Sequence, residues 1–381
     1  MAIALETDFP GGNGALLGVD GSADPPAVRF AAEPKNCPMA LWFHFRLRGP
    51  GDRGVRAVLA NPEQTLGGPD WSGNRPVARA GGEWARLGPA ERVEAPGGRV
   101  EWGWDLPPGD AVEMAHCFPY QPEDLRATLD ELGGAFGAAT IGVSLAARPL
   151  PRVFSGLPAP GRPAVYLTAR HHAGETPGSW VLDGLLRHVA ADERLREAAT
   201  WWATPFVNLD DVVGGSYGKD PWPHDCNRGY GRPGPCRPES LAVVRDATRL
   251  KDAAGRMLFI DVHAPGHAER ANYVPTRGWD EDSPDNPVAE AFAAAFQAAC
   301  PEDIRSREKT TATPKPGPVI YRGMSSRAWA QEVLGVDAIS LEISYQGNGR
   351  TYYTIDDYRR LGAALATTAA DHVLAAGGPS A

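Results

Sequence analysis

The sequence predicts an α/β protein in which a mixed central sheet is flanked by helices and preceded by an all-β sandwich domain. Up to about residue 116, short alternating segments are separated by Gly/Pro turns such as Gly49-Pro50-Gly51 and Pro107-Pro108-Gly109, a pattern typical of sandwiches. Beyond residue 116, apolar strands alternate with helices to the end of the chain, which indicates a largely parallel or mixed sheet. We therefore expect a β-sandwich domain at residues 1–116 and an α/β domain at residues 117–381.

The clearest strand of the first domain lies within residues 40–48. Phe43, Phe45 and Leu47 fall on one face of this segment, and the residues between them are polar. Alternation with a period of two predicts a strand with one buried face. No catalytic cluster is apparent in this domain, and we expect its histidines, His44 and His116, to pack in the core or face solvent rather than bind a metal.

In the second domain, apolar β-branched runs predict buried strands and residues at helical spacing predict helices. The strands are expected at residues 164–168, 257–263 and 338–343, and two of the helices at residues 288–299 and about 355–374. A further helix should follow the first of these strands closely, with Thr176 as its N-cap and Pro177 at its first position.

Composition limits the classes of partner. The chain has 381 residues and a formal net charge of −9, which argues against nucleic acid as the main partner. No stretch is long and apolar enough to predict a membrane span, and the N-terminal residues do not resemble a signal peptide. The five cysteines are odd in number and scattered. We therefore expect reduced thiols and a cytoplasmic location.

Metal-capable side chains follow two of the predicted strands. His172 and Glu175 lie in the loop after the strand at 164–168, and His263 ends the strand at 257–263. Open α/β sheets place their sites at the carboxyl ends of strands, and catalytic zinc takes three protein ligands while leaving a fourth position for water. Glu342 is a single carboxylate within an apolar strand. Burying such a group is unfavourable in free energy unless it is paired or has a functional role. A general base beside a metal is one such function.

Three other histidines lie near the motifs. His171 adjoins His172, but the two-residue gap to Glu175 favours His172. His224 and His267 lie in loops near the motifs, and we expect them to support the site or face solvent.

These residues also carry a family resemblance that spans almost the whole chain. His172-Ala173-Gly174-Glu175-Thr176 resembles the HPGE-T motif of M14 zinc metallocarboxypeptidases of the cytosolic, deglutamylase-like branch, and Asp225-Cys226-Asn227-Arg228 resembles its DLNR motif. The segments 261–267 and 340–342 resemble the strands that carry the third ligand and the catalytic glutamate. One such motif alone is weak evidence of a family resemblance, but four motifs in the right order are specific evidence.

The resemblance implies a fold, a cofactor and a role for each matching residue. The second domain would be the zinc carboxypeptidase catalytic domain, and one Zn²⁺ would be bound by His172, Glu175 and His263. Glu342 would act as general base. The remaining implied roles are substrate contacts: Asn227 and Arg228 would hold the terminal carboxylate of the substrate, and Tyr321 would match the mobile tyrosine that caps it.

Two departures from the family pattern are visible. The family arginine that polarises the scissile carbonyl falls on Gly218 here, followed by Lys219. Lys219 could supply the positive charge, or a donor could come from Arg170 or Arg232. The second departure is Cys226 in place of leucine, which we interpret as a packing residue.

Substrate preference in this family depends on a residue shortly after the tyrosine. Arg327 is placed to select an acidic C-terminal residue, and Arg322 is a second candidate. The sequence thus favours a carboxypeptidase acting on the acidic end of peptides or protein tails. Two alternatives stay open: a zinc amidase for a small N-acyl amino acid or isopeptide, and a weakly active peptide-binding relative. Neither a nucleic acid nor a membrane is expected as a partner.

Overall fold

A computed structural model describes residues 3–231, 237–278, 284–306, 309–314 and 323–375. Within them, the first part of the chain is all-β and forms two five-stranded sheets. One sheet has the strand order β1-β4-β10-β6-β7, with bounds β1 Ala4–Glu6, β4 His44–Gly51, β10 Gly109–Ala115, β6 Val77–Arg79 and β7 Ala85–Arg86. The other has the order β2-β3-β5-β9-β8, with bounds β2 Ala15–Asp20, β3 Ala27–Ala31, β5 Val55–Leu59, β9 Arg99–Leu106 and β8 Glu91–Ala95.

Apolar and aromatic side chains fill the first part of the chain. Phe43, Phe45 and Leu47 are all fully buried, as the alternating pattern predicts. Phe30 packs against the two phenylalanines at ring-centroid distances of 5.2 and 4.7 Å. His44 and His116 are also buried, and the fully desolvated ring of His116 has a pKa well below its ordinary value. These two histidines pack in the core rather than in a metal site.

The second part contains a six-stranded mixed sheet with the order β11-β12-β14-β13-β15-β18, flanked by helices as the sequence predicts. The strands are β11 Gly137–Val143, β12 Pro149–Phe154, β13 Ala164–Ala169, β14 Thr200–Thr204, β15 Met257–His263 and β18 Asp337–Glu342. A separate pair is formed by β16 Val274–Pro275 and β17 Thr311–Ala312. The helices are α1 Pro122–Glu131, α2 Thr176–Ala191, α3 Glu193–Ala198, α4 Leu209–Gly214, α5 Pro238–Ala254, α6 Ala289–Ala299, α7 Ser326–Glu332 and α8 Ile355–Ala375. A short 3₁₀ helix spans Pro62–Gln64.

The central strands run parallel, so their carboxyl ends meet at one edge. β13 and β15 pair in parallel, and β15 pairs in parallel with β18. The register places His263 directly beside Glu342. Helix α2 begins at Thr176, one residue earlier than predicted, and Glu175 takes the N-cap position. Pro177 fits there because the first four N–H groups of a helix have no intrahelical partner.

Helices α2 and α8 cross at two glycines. A Cβ atom at Gly184 would lie 2.2 Å from the carbonyl oxygen of Arg359, and one at Gly362 would lie 2.0 Å from that of Val181. Both contacts are with backbone atoms, which cannot move aside cheaply. The two glycines therefore set the distance between these helices.

We expect Gly184→Ala to lower the free energy of unfolding by about 1–3 kcal/mol or more, because a methyl group would force the two helices apart. Urea denaturation of the purified protein measures this change. Gly214→Ala is the matched control, since that glycine is also helical and a Cβ there would meet nothing within 4 Å. Equal stability of the two variants would contradict the packing argument.

The β-sheets and the second part of the chain share one continuous apolar core. His267, in the loop after β15, is fully buried and stacks on Trp71 at 4.2 Å between ring centroids. Its ring also contacts Asn74 at 2.9 Å and the carbonyl of Gly68 at 2.8 Å. His267 thus packs the loop after β15 against the N-terminal part of the chain. The domain boundary near residue 116 stays a prediction. Among the described residues, no helix is long and apolar enough to cross a membrane.

Candidate active site

Three predicted ligands meet at the carboxyl edge of the central sheet. His172 and Glu175 lie in the loop between β13 and α2, and His263 is the last residue of β15. The Nδ1 atom of His172 lies 2.8 Å from Glu175 Oε1, and the Nδ1 atom of His263 lies 2.9 Å from Glu175 Oε2. All three residues are buried, and their donor atoms lie close enough together to hold a metal ion.

A carboxylate lies behind each of the two histidines, at hydrogen-bond distance from His263 and somewhat farther from His172. Asp261 Oδ2 lies 2.7 Å from His263 Nε2, and Asp225 Oδ2 lies 3.5 Å from His172 Nε2. A proton on each Nε2 leaves the Nδ1 lone pairs directed at the site, which is how metal-binding histidines are commonly held. Burial opposes a charge on His263, but Asp261 and Glu175 raise its pKa well above the ordinary value. A site this rich in negative charge favours a cation.

His171 does not join this set. Its Nδ1 atom lies 2.8 Å from Asp261 Oδ1 and its Nε2 atom lies 2.7 Å from the Tyr230 hydroxyl. His171, Asp261 and His263 form a second set of possible metal donors. However, His171 and Asp261 do not line the cavity described below, and their donor atoms are taken up by hydrogen bonds. Of the two histidines, only His172 lines the cavity with Glu175 and His263, and its role as the ligand stays a prediction.

Glu342 ends β18 beside His263 and is 7% exposed. Burial is the main cause that raises the pKa of Glu342. The neighbouring His263 lowers this pKa, Glu175 raises it further, and the result is a pKa of about 7. A carboxyl with this pKa exchanges a proton readily near neutral pH, as a general base requires. By contrast, the pKa of Glu175 is lowered to about 2, because His172 and His263 outweigh the effect of burial. The two glutamates are therefore suited to different tasks.

The metal-capable residues line a cavity of about 690 Å³. Its wall contains five basic side chains: Lys219, Arg228, Arg277, Lys309 and Arg327. It also includes Met39, Leu66 and Gly67 from the N-terminal part of the chain. Our sequence interpretation missed Arg277, Lys309 and these three residues, since none of them belongs to a recognisable motif.

Asn227 and Arg228 also line the cavity. The amide of Asn227 already has partners, because its Oδ1 accepts the backbone N–H of Ser326 at 2.8 Å and its Nδ2 donates to Asp261 Oδ2 at 3.2 Å. Arg228 donates from Nη1 to the carbonyl of Asn227 at 2.9 Å. The guanidinium of Arg228 is consequently the better placed of the two for holding an anionic substrate group.

The structure explains why position 218, where the family arginine would fall, is a glycine. A Cβ atom at Gly218, which has a φ of +77°, would lie 2.5 Å from the backbone nitrogen of Ala173. No side chain fits there. Lys219 follows immediately and lines the cavity, with its ammonium 3.4 Å from Asp220 Oδ2.

Arg170 does not supply that charge. It is buried, and its guanidinium donates to the carbonyls of Ala173 and Tyr120 and to the hydroxyl of Ser179. It does not line the cavity and instead holds the loop that carries His172. Arg232, the other alternative, lies outside the described residues.

Arg327 lies in α7 and lines the cavity, although it is almost fully buried. Its guanidinium donates to Gln331 Oε1 at 2.7 Å and to the carbonyl of Pro284 at 3.2 Å. These contacts hold the side chain in place.

Tyr321 and Arg322 lie outside the described residues, so their predicted roles stay predictions. Burial raises the pKa of Cys226 well above its ordinary value, as expected of a packing residue.

No protein-family model matches the chain, but individual relatives do. It is 30% identical over 233 residues to cytosolic carboxypeptidase 2 of Danio rerio, covering 50% of this chain and 31% of the relative. It is 28% identical over 182 residues to cytosolic carboxypeptidase 6 of Caenorhabditis elegans, covering 43% of this chain and 38% of the relative. The chain therefore spans less than two fifths of the length of these relatives.

Two solved structures share the architecture over nearly the whole chain. A metallo-carboxypeptidase from Burkholderia cenocepacia has a TM-score of 0.79 and 21% identity, covering 99% of this chain and 100% of its own. A metallo-carboxypeptidase from Pseudomonas aeruginosa, in complex with (2-guanidinoethylmercapto)succinic acid, has a TM-score of 0.76 and 20% identity, covering 97% and 99%. At this identity the likeness establishes the fold.

Fold and donor set together define the class of architecture: the chain has the fold of the metallo-carboxypeptidases and carries a His/Glu/His group that could hold a metal ion. In sequence it is a distant homologue of the cytosolic carboxypeptidases, as the sequence motifs predict.

Proposed function

We propose that this protein is a zinc-dependent carboxypeptidase that removes the C-terminal residue, preferably an acidic one, from peptides or protein tails. The observation that carries the proposal is the shared cavity. A buried carboxyl with a pKa of about 7, Glu342, lies beside a His172–Glu175–His263 donor set, and Arg228 lines the same space. These are the parts that metal-assisted hydrolysis beside a carboxylate requires.

His172, Glu175 and His263 would hold the ion, because two imidazoles and one carboxylate are a donor set typical of catalytic zinc. When bound, zinc lowers the pKa of its water and polarises the scissile carbonyl. Glu342 accepts the proton of the attacking water and then donates it to the leaving amine. Its burial supports this role, because a desolvated carboxylate holds and releases a proton near neutral pH.

The substrate's terminal carboxylate would be held by Arg228, with Asn227 beside it. A guanidinium offers two parallel N–H donors to the two oxygens of a carboxylate. The resemblance assigns Tyr321 the role of covering the bound substrate. Together these contacts would present the last peptide bond, rather than an internal one, to Glu342.

An acidic C-terminal side chain would enter the part of the cavity lined by Arg327. Arg277 and Lys309 line the same cavity, although Lys309 pairs with Glu269 there. These basic side chains support an anionic substrate although the whole chain carries a net charge of −9. A local field in a cleft can outweigh the net charge of the molecule.

A matched peptide set tests this specificity, with sequences that end in Glu, Asp, Lys, Leu or γ-linked Glu. We expect metal-replete protein to release the acidic residues preferentially. Arg327→Ala should lower kcat/KM for Glu-terminated peptide at least tenfold and leave the Leu-terminated peptide within about twofold, because a hydrogen bond to a charged group contributes about 1.5–3 kcal/mol.

Arg245→Ala is the control for that experiment, since Arg245 is exposed on α5 and does not line the cavity. An equal loss for both peptides would contradict the role of Arg327. Hydrolysis of N-acyl amino acids without hydrolysis of any peptide would favour the amidase alternative. Stoichiometric zinc binding without turnover would favour the weakly active binding relative.

Lys219 would stabilise the negative charge that develops on the scissile carbonyl oxygen. We expect Lys219→Ala to lower kcat about 100-fold with little change in KM, because a donor to an oxyanion acts mainly in the transition state. Lys219→Arg should retain most of the activity. Steady-state kinetics on a Glu-terminated peptide distinguish the two variants, and a change confined to KM would instead assign Lys219 to ground-state binding.

We also propose a cytoplasmic location. Cys37, Cys117, Cys226 and Cys300 are free and buried among the described residues, which suits a reducing compartment.

A further inference from the structure

Asp261 lies on β15, is fully buried, and accepts contacts on both carboxylate oxygens. Its Oδ1 atom lies 2.8 Å from Thr168 Oγ1 and 2.8 Å from His171 Nδ1. Its Oδ2 atom lies 2.7 Å from His263 Nε2 and 3.2 Å from Asn227 Nδ2, and it also accepts from the hydroxyl of Ser326. Five side chains thus converge on a carboxylate that does not itself line the cavity.

The three donors to Oδ2 come from three segments of the site. His263 ends β15 and belongs to the metal-donor set. Asn227 precedes Arg228, and Ser326 begins α7 immediately before Arg327. One oxygen atom therefore joins the metal donors to both segments that carry the proposed substrate-binding arginines.

A second connection closes the arrangement. The backbone N–H of Ser326 donates to Asn227 Oδ1 at 2.8 Å, so the two arginine-bearing segments are also held to each other. Since Asn227, Ser326 and Asp261 contact one another in pairs, a displacement of any one of them disturbs the other two.

His171 supports Asp261 from the opposite side. Its second ring nitrogen lies 2.7 Å from the hydroxyl of Tyr230, whose backbone N–H donates to the carbonyl of Met324 at 3.1 Å. Met324 lies two residues before α7 begins. The chain from His171 through Tyr230 thus reaches the same segment that Ser326 fixes directly.

We propose that Asp261 is a positioning residue that ties the metal-ligating His263 to the segments bearing Arg228 and Arg327, with His171 holding its carboxylate in place. The proposal rests on the proposed function for the roles of those residues. A charged carboxylate is suited to the position because all of its neighbours donate hydrogen bonds. Asparagine would turn an NH₂ group either towards the two donors that face Oδ1 or towards the three that face Oδ2, and would leave buried groups unpaired.

The first test measures zinc affinity by chelator competition in full-length Asp261→Asn. We expect the affinity to fall about 10- to 100-fold, as is usual when the group behind a metal-binding histidine is lost. Cobalt-substituted protein should also show an altered visible absorption spectrum, because the His263 ring is reoriented. Asp246→Asn is the control: Asp246 is likewise buried, pairs with Arg152 at 2.7 Å and does not line the cavity. We expect its zinc affinity to stay within twofold of the unsubstituted protein.

The second test uses Ser326→Ala, a milder variant that removes one donor and keeps Asp261. We expect zinc affinity to change less than threefold, whereas the dissociation constant of a Glu-terminated peptide, measured by calorimetry in the Glu342→Gln background, should rise at least fivefold. A change in peptide binding without a change in zinc affinity separates a positioning role from a general loss of structure. Both quantities can be measured in Ser326→Ala even if Asp261→Asn does not fold.

Unchanged zinc affinity in folded Asp261→Asn, or unchanged peptide binding in Ser326→Ala, would overturn the proposal. Zinc affinity and its dependence on Asp261 are measured without turnover. If the protein hydrolyses no peptide but Asp261→Asn weakens zinc binding as expected, the proposed function fails while the link between Asp261 and His263 stands.

Discussion

Glu342→Gln is expected to lower kcat for a Glu-terminated peptide about 100- to 10,000-fold, the range usual for loss of a general base. Glutamine has nearly the same shape but cannot accept the proton of the attacking water. Glu342 is not one of the three metal donors, so one equivalent of zinc should remain bound. Steady-state kinetics together with metal analysis of the same preparation measure both effects.

Glu332→Gln is the control for this substitution, because Glu332 is exposed at the end of α7. We expect that variant to keep its activity. Retention of more than a tenth of kcat by Glu342→Gln would assign the proton transfer to another group. Loss of zinc together with activity would instead show that Glu342 supports the metal site.

Arg228→Ala should have the second largest effect. Removing one partner of a buried, hydrogen-bonded charge pair costs about 2–5 kcal/mol, so we expect kcat/KM to fall roughly 30- to 4,000-fold, mainly through a higher KM. Arg228 is 7% exposed, so water cannot replace the guanidinium effectively. Peptide hydrolysis over a wide range of substrate concentration separates the effects on KM and kcat.

Arg228→Lys serves as the comparison, because it keeps the charge but loses the paired donors of the guanidinium. We expect the kcat/KM of Arg228→Lys to lie between that of Arg228→Ala and that of the unsubstituted protein. If Arg228→Ala left KM unchanged, the terminal carboxylate would be bound elsewhere, and Arg277 and Lys309, which line the same cavity, would be the next residues to test.

The sheet and the position of the donor set were predictable because strong local patterns mark them. One long apolar run ended at His263 and another contained Glu342, and the strands at those runs pair in parallel and in register. Side chains at the ends of neighbouring parallel strands must lie close together. The prediction of the fold class was therefore confirmed, whereas the roles of the site residues stay predictions, those of Glu342, Asn227 and Arg228 as well as those of Arg327, Tyr321 and Lys219.

Features that depend on contacts distant in sequence were not predictable. The sequence places Arg170 two residues before His172, but a φ of +61° turns its backbone, and its guanidinium holds the loop instead of facing the cavity. Met39, Leu66 and Gly67 line the cavity only because the N-terminal part of the chain, around Leu66 and Trp71, packs against the loop after β15. Asp261 resembled any polar residue in a strand until the five side chains around it were located.

The most direct test of the central claim compares two peptides that differ only at the C-terminus, one with a free carboxylate and the other with an amide. Metal-replete protein is incubated with each, and the products are followed by mass spectrometry. We predict that the free acid becomes shorter by one residue at a time and that the amide is left intact, because in our proposal Arg228 binds the terminal carboxylate. Equal cleavage of both peptides, or cleavage at internal bonds, would contradict the assignment as a carboxypeptidase.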